Sequence, residues 1–244
     1  MVNIPGLNTS SITNAQVTNR SGNTPRVGEH FLAVSRLHLF ESSNDKGKIF
    51  VGEYLVRESS ARPYGRVTLS ETSQGLTEAS APAPHTVDET VSTVWARKFV
   101  KQDVDRWNSN VKSLMAAIKG TLFNLIAMEK DAGKTEREIE ASRNFYAQKG
   151  WDMSTPDVTD SDVAQLLSAT WDGEGALPAE RRADMLDMFR SLPVKCIVTR
   201  IVKREAKTKS RDAYIDSDLA SIISFVPVSK EELARKESVL FPDE

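Results

Sequence analysis

The stretch CIVTRIVKREAKTKSRDAYIDSDLASIISFVPVS, residues 196–229, decides the fold that the sequence predicts. Two apolar runs, PVKCIVTRIVKRE (193–205) and LASIISFVPVS (219–229), flank a turn crowded with lysine and arginine. Both runs are rich in β-branched residues, which favour strands, and two such runs around a polar turn are typical of a β-hairpin. We therefore expect a hairpin with a basic tip to close the fold.

Strand patterns also occupy the first part of the chain. The segments GEHFLAVSRLHLFES (28–42) and GKIFVGEYLVRES (47–59) predict two strands joined by the polar turn SSNDKG. YGRVTLSE (64–71) predicts a short strand, and ETVSTVWARKFV (89–100) predicts a strand in which alternate residues share one face. Residues 28–102 are therefore expected to be mainly β.

The period of the apolar residues changes after residue 102. There they recur at three- and four-residue steps, as on one face of a helix. These residues are Val104, Trp107, Val111, Leu114, Met115, Ile118 and Leu122. Further helices are predicted over 135–150, which opens with a Thr-x-x-Glu capping pattern, and over 159–171 and 177–191. Residues 103–191 are thus predicted to be mostly helical.

The order of these elements predicts an α+β protein. Strands, a helical segment and a closing hairpin match an OB-fold-like antiparallel β-barrel with a large helical insertion between strands 3 and 4. We expect a flexible N-terminal arm over 1–27, a single OB-like domain over 28–229 and a charged C-terminal tail over 230–244. The domain divides into a β part, a helical insertion and a closing β-hairpin: 28–102, 103–191 and 192–229.

Charge is segregated along the chain. The sequence has 32 Lys and Arg against 34 Asp and Glu, so the formal net charge is −2. Residues 194–214 nevertheless hold seven basic and two acidic residues, a local charge of +5. Residues 124–190 hold eight basic and fourteen acidic residues, a local charge of −6. The overall balance excludes a uniformly basic nucleic-acid coat, so any site for a polyanion must be a local patch.

The sequence carries no pattern for export or membrane insertion. The first 25 residues lack the apolar region of a signal peptide, and no run approaches the roughly 18 to 20 apolar residues that a membrane span needs. We therefore expect a cytoplasmic protein without a membrane partner. The single cysteine, Cys196, lies in an apolar strand pattern and is predicted to be a buried small hydrophobe and not a nucleophile.

The OB-fold mapping selects candidate nucleic-acid-binding residues. In this fold, nucleic acid crosses strands two and three and contacts the loops between strands one and two and between strands four and five. Basic side chains would bind phosphates and aromatic side chains would stack on bases. The candidates are Lys46, Lys48, Phe50, Tyr54, Arg57, Arg66, Lys203, Arg204, Lys207, Lys209, Arg211 and Tyr214. For Phe50 and Tyr54 the alternative is a core position, because an aromatic residue in a strand often faces inward.

Three segments resemble bacteriophage single-stranded-DNA-binding proteins: GKIFVGEYLVRESS, NVKSLMAAIKG and VKCIVTRIVKREAKTKSRDAYIDSDLASIISFVPV. The last one ends on Phe225, Val226 and Pro227, which is similar to the Phe-x-Pro ending of that family's final hairpin. The resemblance covers roughly residues 28–229. It implies an OB-like fold, single-stranded DNA as partner, a role in DNA replication or recombination, and no chemistry of its own. It also implies contacts to replication or recombination proteins through the tail and is compatible with a homo-oligomer.

Patterns for catalysis are weak. The acidic run DVTDSD (157–162) is better explained as a helix N-cap than as a calcium loop, and His30, His38 and His85 lack metal-ligand spacing. No phosphate loop, nucleophile elbow or paired-cysteine zinc motif occurs. The sequence thus predicts neither an enzyme nor a cofactor or metal. A phage virion or assembly structural protein is the alternative to DNA binding, and an enzyme or enzyme regulator is the third class.

Overall fold

The structure is a computed structural model that describes residues 24–42, 47–61, 83–97, 101–202 and 219–240. Along the described residues, three strands are followed by four helices, then by two more strands and a fifth helix. The strands are β1 (Gly28–Glu41), β2 (Lys48–Ala61), β3 (Thr90–Arg97), β4 (Pro193–Val202) and β5 (Leu219–Val226). The helices are α1 (Lys101–Asp131), α2 (Glu136–Gln148), α3 (Asp160–Thr170), α4 (Ala179–Arg190) and α5 (Lys230–Leu240).

The five strands form one antiparallel sheet in the order β3-β2-β1-β4-β5. Three consecutive strands and a fourth that returns beside the first make a Greek key. The predicted α+β class and the helical segment between strands three and four are confirmed. The sheet is open, because no ladder joins the edge strands β3 and β5 in the described residues. The predicted short strand at 64–71 lies outside the described residues.

One face of the sheet forms the core because buried and partly exposed residues alternate along the strands. On β2 the inward residues are Phe50, Gly52, Tyr54 and Val56, and on β3 they are Val91, Thr93 and Trp95. The helix α1 packs across this face against β3, β4 and β5. Its predicted apolar stripe is confirmed, since Trp107, Val111, Leu114, Met115, Ile118 and Leu122 are all buried.

The helix α1 is also apolar enough to cross a bilayer by length and composition alone. Its stretch Val104–Asp131 has a mean hydropathy of 1.3 in an 18-residue window, and half of that window is buried inside the fold. A central helix that is packed on several sides has the same composition. The burial of its apolar stripe against the sheet accounts for this hydropathy.

A buried ion pair ties α1 to α3. The ammonium of Lys119 lies 2.6 Å from the Asp162 carboxylate and 2.6 Å from the carbonyl oxygen of Asp157, and both charged side chains are fully buried. Asp162 also closes a capping box with Thr159 at the start of α3. The prediction that DVTDSD is a helix cap is therefore confirmed. The predicted capping pattern of α2, with Thr135 and Glu138, is confirmed too.

A hydrogen-bonded cluster fastens the start of β1 to β2 and to the segment before β3. The buried ring of His30 donates from Nε2 to the carbonyl of Arg26 (2.6 Å) and lies 2.9 Å from the Ser59 hydroxyl through Nδ1. The amide of Arg26 donates to Nε2 of His85 (3.0 Å), whose own amide donates to Ser59 (3.0 Å). The predicted arm 1–27 is thus too long, because its last four residues are part of the folded domain.

Two irregularities shape β1. Its register against β2 shifts between Phe31 and Leu32 and again between Val34 and Arg36. Past Ala33, where pairing with β4 ends, the free edge of β1 is joined by Trp171, which bridges to Leu39. The amide of Asp172 donates to the carbonyl of Leu39 (2.8 Å). This contact places the end of α3 and the start of α4 beside the edge of β1 that β4 leaves free.

Residues beyond β5, which are predicted to be a charged tail, form the helix α5. In α5, Leu233 is buried with Phe31 and Val228, and Glu232 accepts a hydrogen bond from Lys195 at 2.6 Å. Residues 230–240 of the predicted charged tail (230–244) therefore form a helix that docks on the domain. Residues 241–244 lie outside the described residues.

Candidate nucleic-acid interface

Phe50 and Tyr54 belong to the core, which corrects the prediction that they stack on bases. Both side chains are fully buried. The Phe50 ring stacks on Trp95 at 5.5 Å, and the Tyr54 ring packs against Phe225 at 5.6 Å between centroids. Burial raises the pKa of the Tyr54 hydroxyl, which lies 3.4 Å from Thr93 Oγ1. Neither ring has a free face, because both point to the inner side of β2.

Lys48 is not a free phosphate contact. Only 6% of the residue is exposed, and its ammonium pairs with Glu41 across the first hairpin. The same ammonium lies 4.6 Å from the centroid of the Trp171 ring, a distance typical of a cation–π contact. Lys48 therefore joins the hairpin to the segment after α3, and its predicted role in binding DNA is corrected.

Arg57 also has a partner within the fold. Its Nη1 lies 2.6 Å from Oδ1 of Asp88, a residue in the turn before β3 that has a positive φ of 62°. The pair is partly exposed, so a phosphate could compete for this guanidinium only by displacing a carboxylate. Arg57 is a weaker candidate than the sequence predicts.

The other eight predicted contacts lie outside the described residues: Lys46, Arg66, Lys203, Arg204, Lys207, Lys209, Arg211 and Tyr214. They stay predictions. The strand register shows at which end of the sheet the described strands stop. Ala61 at the end of β2 pairs with Gly28, and Gly28 pairs with Val198 near the end of β4. The segments 62–82 and 203–218 therefore leave the same end of the sheet, where Arg57 also lies. Residues 43–46 leave the opposite end.

The described residues also form a polar groove that contains none of the predicted DNA contacts. This β1–α4 groove has a volume of about 400 Å³ and lies between the outer side of β1 and β2 and the helical segment. Its wall on the sheet comes from β1 and β2, and its other wall comes from the end of α3 and from α4. The lining residues are Ser35, Arg36, Leu37, His38, Glu53, Ala169, Thr170, Asp172, Ala179, Arg182, Ala183, Leu186 and Arg190.

Asp172 organises one end of the groove. His38 Nε2 lies 3.0 Å from its Oδ2, and Nη2 of Arg182 lies 2.9 Å from its Oδ1. The hydrogen bond from His38, helped by the charge of Arg182, holds the pKa of the Asp172 carboxyl below its usual range despite some desolvation. Because Nε2 of His38 donates to Asp172, its Nδ1 is left as an acceptor, and it lies 3.5 Å from Nη2 of Arg36. One guanidinium group and one imidazole thus contact this carboxylate, and the guanidinium of Arg36 reaches the far side of the imidazole.

Arg190 closes the other end of the groove. Its Nε donates to the carbonyl of Ser35 (3.1 Å), and its Nη1 lies 2.9 Å from Asp187. Its side chain is 41% exposed. Ser35 is the residue at the second register shift of β1, so Arg190 holds the irregular part of the strand. Register shifts of this kind redirect side chains, and they occur often beside binding sites.

The chain matches no known protein in three comparisons: no family model, no curated protein and no solved structure aligns significantly with it. Its function is therefore inferred from geometry and charge.

One signal in the sequence indicates the groove. The residues Ala179, Arg182, Ala183, Leu186 and Arg190 recur at helical spacing, so one face of α4 carries two arginines beside small and apolar side chains. That face is unusual for a core helix. The strand that it faces could not be predicted, because the contact depends on the Trp171 bridge to β1.

The described residues offer no metal centre and no reactive thiol. No group of three or more His, Cys, Asp or Glu side chains in the described ranges is arranged to hold a metal ion. Cys196 is fully buried in β4, and burial raises the pKa of its thiol. The prediction of a buried, hydrophobic cysteine is confirmed.

Proposed function

We propose that this protein binds single-stranded DNA without strong sequence preference and protects or organises it during replication or recombination. The observation that supports the proposal is the Greek-key strand order β3-β2-β1-β4-β5 with helices inserted between β3 and β4. The OB-fold is a five-stranded, partly open Greek-key barrel that binds oligonucleotides. In this proposal the sheet is such a barrel, and Trp95 on β3 meets Phe225 on β5 across its open seam at 5.9 Å between ring centroids.

The proposed DNA path follows the outer face of the sheet. The outward residues Ile49, Val51, Leu55 and Val94 are partly exposed and apolar, and bases can lie on such a surface. Because Phe50 and Tyr54 face inward, the described aromatic candidates for stacking become His38 and Phe40 on β1. Their rings are 5.0 Å apart and partly exposed. The basic residues of the β4–β5 connection would add phosphate contacts.

A binding assay tests the proposal directly. We expect a fluorescently labelled oligo(dT) to bind with higher affinity than a duplex of the same length, because stacking needs unpaired bases. Replacing Lys207, Lys209 and Arg211 together by glutamine should flatten the plot of log affinity against log salt by roughly 2 units. A matched variant replaces Arg137 and Arg143 of α2 and Lys149, the residue after α2, by glutamine. It removes the same charge from another part of the chain and should keep the slope.

Two results would contradict the proposal. Equal affinity for single strand and duplex would remove the stacking contribution. An equal change of slope in both triple variants would mean that binding depends on net charge and not on the β4–β5 connection.

A phage virion or assembly structural protein is the second candidate. The observation that favours it is Phe145, which is 53% exposed on α2, a helix in which Ile139 is the buried residue. An exposed aromatic side chain on a shallowly packed helix fits a contact between copies of the chain. Sedimentation without DNA distinguishes the two candidates: an assembly protein should form concentration-dependent oligomers that Phe145→Ser disrupts.

A further inference from the structure

We propose that the β1–α4 groove is a phosphate-binding site in which Arg36 and Arg190 hold a phosphodiester of the bound single strand. The phosphate chemistry follows from the groove itself, and the choice of DNA as its source rests on the proposed function. A free nucleotide or inorganic phosphate would be recognised by the same groups.

Arg36 is the principal argument for this site. It is exposed at the rim of the groove and forms no ion pair among the described residues. The register shift between Val34 and Arg36 places it on the outer face, beside His38. A guanidinium has five donors in a planar fork, which matches the oxygens of a phosphate. Apart from Nη2, which lies 3.5 Å from Nδ1 of His38, the donors of Arg36 are therefore available to a ligand.

Two of the three arginines of the groove have a carboxylate partner, and Arg36 has none in the described residues. Asp172 is shared between His38 and Arg182, and Asp187 is paired with Arg190. Glu53, which lies opposite Arg36 in the β1–β2 register, is the remaining carboxylate on the wall. With Asp187 counted, the three arginines face three carboxylates, so the positive charge offered to a ligand is the local charge of Arg36 at the rim and not a net charge of the groove.

The size and the floor of the groove suit one nucleotide unit. Its volume of about 400 Å³ falls in the range of roughly 300 to 1,000 Å³ that small-molecule sites occupy. The apolar lining residues from α4 are Ala179, Ala183 and Leu186. A sugar or a base can rest on these apolar side chains while the phosphate meets the guanidinium groups at the rim.

Opposite effects of two facing residues test the site. Arg36→Gln should weaken binding about tenfold, because it removes a charge-assisted contact. Glu53→Gln should strengthen binding roughly threefold, because it removes the carboxylate that repels the phosphate. Arg181→Gln is the matched control, since Arg181 is an exposed neighbour of Arg182 on α4 that does not line the groove. The affinity of the Arg181→Gln variant should equal that of the unchanged protein.

Three probes, each titrated by calorimetry in phosphate-free buffer, distinguish the sources of the phosphate: inorganic phosphate, thymidine 5′-monophosphate and oligo(dT). A lower affinity for oligo(dT) in Arg36→Gln and a higher affinity in Glu53→Gln would support both the site and its occupant. The same pattern for the two small probes, without any binding of oligo(dT), would keep the phosphate site and overturn single-stranded DNA as its source. Binding of oligo(dT) that neither substitution alters would overturn the site and leave the proposed function standing. No binding of any probe would overturn both.

Discussion

Lys119 and Asp162 form an ion pair that water does not reach. We expect Lys119→Met to lower the free energy of unfolding by about 3 to 5 kcal/mol, because it leaves a carboxylate buried without its counter-charge. Urea unfolding measures the loss. Lys112→Met is the matched control, since Lys112 is exposed on the same helix, and such a change should stay within about 0.5 kcal/mol. Equal losses in both variants would contradict the role of the pair.

His30 makes stability depend on pH. Burial, helped by the nearby His85, lowers the pKa of His30 below its ordinary value of 6.5, against opposing effects of the Arg26 carbonyl and Glu29. The unfolded chain therefore binds a proton at a pH where the folded chain does not. The stability that His30 contributes is complete above about pH 6.5 and is lost as the pH falls towards the lower pKa of the folded state, by at most about 1.4 kcal/mol per pH unit.

The expected result is a lower urea midpoint at pH 5.5 than at pH 7.5, with a smaller difference in His30→Gln. Carboxylates such as Asp172 and Glu232, whose ordinary pKa values are 3.8 and 4.5 and are lowered further, titrate below this interval. An unchanged pH difference in the His30 variant would assign the effect to other groups.

Phe50 and Tyr54 were predicted to face DNA but face the core, because alternation along a strand does not determine which of its two faces is buried. In the run Ile49 to Val56, both faces of β2 carry apolar side chains, so the period of two predicts a strand without saying which face is buried. The inner face is fixed by α1, which contributes Trp107 against Phe50. That contact joins distant parts of the chain and leaves no local trace in the sequence.

Helix α1 approaches the chain after β5 so closely that a methyl group would not fit. A Cβ added to Gly120 would lie 2.5 Å from Cγ of Pro227. Gly120→Ala should therefore lower the free energy of unfolding by about 1 to 3 kcal/mol through overpacking. Helix propensity alone predicts the opposite, a gain of about 1 kcal/mol.

Ala127→Gly, later in the same helix, calibrates the propensity effect and should cost about 1 kcal/mol. Thermal unfolding monitored by far-UV circular dichroism measures both variants. A rise in stability for Gly120→Ala would mean that the segment of Pro227 moves aside without cost.

Helices were predicted where their ends or faces carry a local signal. Thr135 and Glu138 indicate the start of α2 because the capping box lies within four residues. Helix α5 gives no such periodic stripe: Leu233 is its buried apolar anchor, and its docking depends on Lys195 and Phe31 from two strands. The β1–α4 groove could not be predicted for the same reason. Only its α4 wall has a recognisable spacing in the sequence, and the opposite wall is brought to it by long-range contacts.

The helical segment and the sheet share one core, so we expect them to unfold together. Trp95 reports on the sheet and Trp107 reports on the packing of α1 against it. Trp151 and Trp171 report on the helical segment around α3, and all four side chains are buried in the same cluster. Two variants isolate these reporters, one with Trp95 and Trp107 replaced by phenylalanine and one with Trp151 and Trp171 replaced. In each variant, the urea midpoint from tryptophan fluorescence should equal that from circular dichroism. Two separated midpoints would instead make the helical segment an independent domain.

The pairing of β1 with β4 has a consequence for synthesis on the ribosome. The ladder runs from Gly28↔Val198 to Ala33↔Pro193, so partners are 160 to 170 residues apart in sequence. At about 5 to 20 residues per second, translation needs roughly 10 to 30 s to produce the second partner after the first. During that time the nascent β1–β2 hairpin presents an unpaired edge, which other chains can use as a template for aggregation. The yield of folded protein should therefore depend on how fast the codons of the helical segment are translated.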